Sequence, residues 1–124
     1  MISKIDYFNQ IMQTGYLLLR DNLMEAAIIH YGFMPEIIRY LARKYKLETT
    51  YDNSYKWEDL YLKIREKLEK EDEELALSLA LAWKSAKEML GMILSESLFD
   101  EELVREDIDN IRRFWNRIKN FIEE

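Results

Sequence analysis

The chain has no cysteine, and only one histidine, one proline and three glycines among its 124 residues. Without cysteine there is no disulfide framework, no thiolate nucleophile and no thiolate-ligated metal. A single imidazole cannot build a multi-histidine metal centre or a histidine acid–base pair within one chain. Three scattered glycines supply neither a phosphate-cradling loop nor the turn of a dinucleotide-binding unit. No run of alternating polar and apolar residues lasts long enough to demand a strand. The longest apolar stretch, Leu75 to Leu94, carries Lys84, Lys87 and Glu88. Each costs about 2.5 kcal/mol or more at a membrane centre, so the stretch reads as a buried helix of a soluble protein, with no membrane contact.

Apolar residues make up 48% of the chain and charged residues 34%, which fits one compact domain over residues 1–124. A chain of this length buries about two-thirds of its unfolded surface, enough for a core without covalent staples. The formal charge is −6, from 24 acidic against 18 basic side chains, so the overall field repels nucleic-acid phosphates. The start, Met1-Ile2-Ser3-Lys4-Ile5-Asp6, lacks the basic, apolar and small-residue stretches of a secretory signal, which points to the cytoplasm. Abundant Glu, Lys, Arg, Ile and Tyr with two Gln lean toward a thermophile.

Helical periodicity dominates, so the expected class is all-α. Ser3 caps a first helix over about residues 3–20, with Ile5, Phe8, Met12, Tyr16 and Leu19 as its apolar stripe. Asp21-Asn22 offers a turn and a new cap. Leu23, Ala26, Ala27, His30, Met34, Ile37, Leu41 and Tyr45 then form the inward face of a second helix, antiparallel to the first. Pro35 removes a backbone donor at a cost of ~3 kcal/mol if nothing compensates. Because the stripe keeps its phase across Gly32 and Pro35, a kink is expected rather than a restart.

Residues 47–54 read as a loop, with Ser54 capping a helix from Tyr55 to about Lys70 that carries Trp57, Leu60, Tyr61, Ile64 and Leu68. Asp72 caps the next, over about 73–95, whose Leu75-to-Trp83 half is apolar nearly all round and calls for neighbours on every side or a second subunit. Asp100 caps the last, with Val104, Ile108, Ile111, Trp115, Ile118 and Ile122 as its seam. The expected architecture is an up-and-down bundle of about five helices with a kinked second helix.

The candidate chemistry is thin. His30 is the one side chain whose ordinary pKa lies near neutrality, yet Ile28, Ile29 and Tyr31 flank it, as for a core histidine with a satisfied ring. An enzyme working through it needs a concave polar pocket and a shifted pKa. A di-iron bundle needs two histidines. The acidic run at Glu69 to Glu74 lacks a calcium-loop glycine and reads as a solvated junction. No catalytic set, metal ligand or cofactor is expected. Arg39, Arg43, Lys44 and Lys46, and later Arg112, Arg113, Arg117 and Lys119, suit helix C-termini through the dipole. Facing one groove, the two sets would hold RNA. Tyr51, Tyr55 and Trp57 stand apart as aromatics beside the loop.

The run from Asp21-Asn22 through Glu25-Ala26-Ala27 to Glu36-Ile37-Ile38-Arg39-Tyr40-Leu41-Ala42 resembles the long second helix of the HEPN superfamily, in its archaeal PaREP-type branch. Leu81-Ala82-Trp83-Lys84-Ser85-Ala86, followed by Leu98-Phe99-Asp100-Glu101-Glu102-Leu103, is similar to that branch's fourth helix and turn. The resemblance implies a HEPN-like bundle that forms a homodimer. Active members are metal-independent ribonucleases with an arginine and, shortly after it, a histidine on a late helix. Here Arg105 is followed at that spacing by Asn110, which cannot move a proton, and His30 lies early. The expectation is a non-catalytic interaction module that binds a protein partner, with His30, Arg39, Arg43, Arg112, Arg113 and Arg117 as candidate surface residues. The alternative is an RNA-binding or ribonucleolytic relative.

Overall fold

The computed structural model describes residues 3–47 and 55–122. Five α-helices account for nearly all of them: α1 (Lys4–Asp21), α2 (Leu23–Lys44), α3 (Tyr55–Glu71), α4 (Glu73–Leu94) and α5 (Glu101–Ile122). A 3-10 turn at Glu96–Leu98 joins the last two. No strand occurs among the described residues.

Four boundaries are set by side chains that accept from orphan backbone amides. Ser3 Oγ takes the Asp6 amide, Asn22 Oδ1 that of Glu25, Asp72 Oδ1 that of Leu75 and Asp100 Oδ1 that of Leu103, each at 3.1 Å. Asn22 and Asp72 are extended single residues between helices, and Asn22 also returns its own N–H to Leu18 O. One residue thus reverses the chain, and α1 and α2 lie antiparallel, with Phe8 against Phe33 and Tyr40 and with Gly15 against His30.

α2 runs through Pro35 without a break. It ends in a paired closure, Lys46 N–H to Arg43 O and Leu47 N–H to Ala42 O, with Lys46 left-handed at φ 59°. Leu47 packs back on the core. The expected loop beyond Leu47 and the Ser54 cap lie outside the described residues.

The core fills the space where α1, α2 and α5 meet and continues between α2, α3 and α4. In the first part Phe8, Phe33 and Trp115 meet edge to face at 5.5–5.6 Å between ring centres. In the second, Tyr61 and Trp83 stack at 4.8 Å and 7°. The α5 seam is buried throughout, as its spacing predicts.

One expectation fails on a particular residue. Tyr16 is 57% exposed, and Gly15 takes the inward slot after Met12, because α1 approaches α2 too closely there for a ring. α4 packs against α2, α3 and α5, while Leu77 and Leu81 on its outer face remain 59% and 47% exposed within the single chain. No helix among the described residues is long and apolar enough to cross a membrane.

Candidate functional site

His30 is fully buried, and both of its ring nitrogens are engaged. Nδ1 lies 2.7 Å from Ala26 O. A carbonyl only accepts, so Nδ1 carries the hydrogen and Nε2 holds the lone pair. Arg112, from the far end of the sequence, donates Nη1–H to that lone pair at 3.1 Å and to Met12 O at 2.8 Å. A proton on Nε2 would face the arginine donor. Burial above all holds His30 down at about 4 against the ordinary 6.5; the Ala26 bond pulls the other way, and the Arg112 charge adds a smaller push downward. The imidazole is a neutral acceptor that clamps a guanidinium, packed too tightly to meet a substrate. The polar pocket that a His30-based enzyme needs does not surround it.

A second feature lies at Pro35. Proline has no amide hydrogen, so the Tyr31 carbonyl loses its helical partner. Tyr31, Met34 and Pro35 form one wall of a cleft of about 470 Å³, closed by Trp57 and Glu58 of α3 and by Trp83, Ala86, Lys87 and Leu90 of α4. Glu58 Oε2 accepts from Trp83 Nε1–H at 2.8 Å and from Lys87 Nζ at 3.4 Å. The Arg39 guanidinium stands 5.5 Å from the Trp57 ring centre. The cleft therefore has an aromatic floor and a rim carrying both signs of charge.

The remaining candidates separate. Arg113 and Arg117 line a shallow groove between α4 and α5 with Glu74, Leu77 and Leu81, and Arg113 is bridged to Asp109 at 2.9 Å. Arg43 is exposed in the last turn of α2, and Lys44 reaches the Phe121 ring at 5.8 Å. The ends of α2 and α5 do lie together, but Arg39 is turned to Trp57 and Arg112 to His30. Tyr51 and the Tyr55 side chain fall outside what is described. Among the described residues no group of three or more His, Cys, Asp or Glu side chains is placed to hold a metal.

No family model, curated protein or solved structure matches the chain. Sequence reasoning did not find Asp107, 6% exposed on the inner face of α5 beside Ser85 and Glu88 of α4. Burial first, then the Glu88 carboxylate, pushes its carboxyl up to about 7. Its place in the repeat, three residues after Val104 and four before Ile111, is the signal that marks it as inward-facing.

Proposed function

We propose that the chain is a non-catalytic helical interaction module of the HEPN type, which pairs with a second copy and holds a side chain of a protein partner in the cleft beside Pro35. In this reading α2 bends at Pro35, and the protein works in the cytoplasm of a heat-adapted archaeon. The observation that carries it is the cleft. Tyr31, Trp57 and Trp83 in the lining, with Glu58 and Lys87 beside them and Arg39 stacked on Trp57, match the anatomy of a protein-binding hot spot, where an apolar anchor is buried inside a polar ring. The self-pairing rests on the outer face of α4. Leu77 and Leu81 share their groove with Glu74, Arg113 and Arg117, so a two-fold axis can set the acid of one copy against the bases of the other.

Affinity capture from native cells, with wild type and Trp57→Ala side by side, tests the cleft. A partner retained by the first and lost by the second supports the reading; an identical set on both removes it. Sedimentation equilibrium tests the pairing, which fails if the 15.1 kDa species stands alone at micromolar concentration. Retention of an RNA pool that weakens steeply with salt would replace the module by its rival, an RNA-binding or ribonucleolytic relative.

A further inference from the structure

The groove between α1 and α5 is rich in donors and carries no acid. Asn9, Gln13 and Tyr16 on α1 face Arg112, Asn116 and Lys119 on α5 across a cavity of about 310 Å³. Both sets recur at spacings of four and three, so each is one stripe of its helix. In a chain of net charge −6, two cations sharing a groove lining without a carboxylate call for a counter-charge.

The way Arg112 is held sharpens this. Nη1 is spent on Met12 O and on His30 Nε2, and both acceptors are neutral. They fix the plane of the guanidinium, whose face lies 5.1 Å from the Tyr16 ring centre, and neither supplies the formal counter-charge that a carboxylate in its place would; Asp109 acts on it only from a distance. Nε–H and the two hydrogens on Nη2 have no protein acceptor among the described residues and form the fork that binds two oxygens of one anion. The nearest acid on α5, Asp109, is bridged to Arg113 at 2.9 Å. Asn9 spends its amide oxygen on Trp115 Nε1–H at 3.1 Å, so its amide nitrogen is left to donate.

We propose that this groove binds the phosphoryl group of a small phosphomonoester. Arg112 grips two terminal oxygens, Lys119 supplies the second positive charge, and the amides of Asn9, Gln13 and Asn116 serve the third oxygen. A carboxylate has one negative charge and two oxygens, too few for this set. At about 310 Å³ the groove sits at the small end of the ~300–1,000 Å³ of ligand clefts, room enough for a small phosphomonoester. His30 is a positioning residue: it aims the guanidinium and touches no ligand. None of this depends on the cleft at Pro35.

The test is a proton–nitrogen NMR titration with inorganic phosphate at constant ionic strength, balanced by chloride, following the Trp115 indole N–H and the Arg112 Nε–H. Saturable shifts in wild type are expected, with binding about tenfold weaker in Asn116→Asp and in Lys119→Gln, and with ribose 5-phosphate at least as tight as phosphate. Both substitutions lie outside the core, so the fold persists and the comparison holds. The proposal fails if phosphate shifts neither signal, if both variants bind as wild type does, or if acetate matches phosphate. Single-stranded RNA whose affinity for the same signals grows with length would also overturn it, in favour of a polymer.

Discussion

Gly15→Ala is the most informative single substitution, because helix propensity and packing oppose each other there. A Cβ on Gly15 would lie 2.5 Å from His30 Cε1, 2.9 Å from Nδ1 and 3.0 Å from Nε2, where carbon contacts settle near ~3.5–4.0 Å. The imidazole cannot retreat, since Ala26 O holds it at 2.7 Å and Arg112 at 3.1 Å. α1 must therefore back away by about 1 Å, which loosens the 2.8 Å bond from Arg112 to Met12 O. Overpacking of this kind costs about 1–3 kcal/mol, and the weakened buried hydrogen bonds about 1 kcal/mol more. Against that, alanine gains about 1 kcal/mol over glycine in a helix. The net expectation is a loss of about 1–3 kcal/mol. Gly32 and Gly91 are the internal controls, for nothing lies within 4 Å of their added Cβ, and each should gain about 0.5–1 kcal/mol as alanine. Chemical denaturation reads the three differences as midpoint shifts at constant slope. Three variants that all stabilise equally would refute the close approach. A Gly15→Ala, His30→Ala pair should recover part of the loss, because the second change vacates the space.

The carboxyl of Asp107 is raised, so its contribution to stability is complete below about pH 4 and is lost as pH climbs through about 7; Asp107→Asn should remove this slope and gain about 1–2 kcal/mol at pH 8 by urea unfolding. An unchanged slope counts against the buried carboxyl. His30 works in the opposite sense, since its contribution is present above pH 6.5 and is lost as pH falls through about 4, and its Cε1 proton resonance should titrate with a midpoint near 4. A midpoint at 6.5 would mean an open ring. Lys46→Gly relieves a left-handed lysine at φ 59° and should add about 1 kcal/mol to thermal stability; no gain would mean that Leu47 alone holds the closure.

Much of the fold could be read in advance because its signals are local. Ser3, Asn22, Asp72 and Asp100 compete for amides within three residues of themselves, and that competition needs no tertiary partner. The α5 seam was legible for the same reason. Tyr16 was misplaced because two neighbouring positions fit the stripe, and only the distance between α1 and α2 decides for Gly15. Leu77 and Leu81 look like core in sequence, and which side of α4 lacks a neighbour is a property of the whole bundle. The clamp on Arg112 joins residues 82 apart in the chain, and no periodicity reports such a pairing. Trp57 was visible as an aromatic beside the loop, but its cleft required Pro35, Glu58 and Trp83 to arrive from three helices.

The meeting of Gly15, His30 and Arg112 also bears on how such a chain can diverge. A lineage that enlarges residue 15 must first shrink residue 30, and doing so strips the guanidinium of one of its two anchors. Positions 15, 30 and 112 are therefore free to drift only as a triplet, and among descendants they should change hands together or stay put.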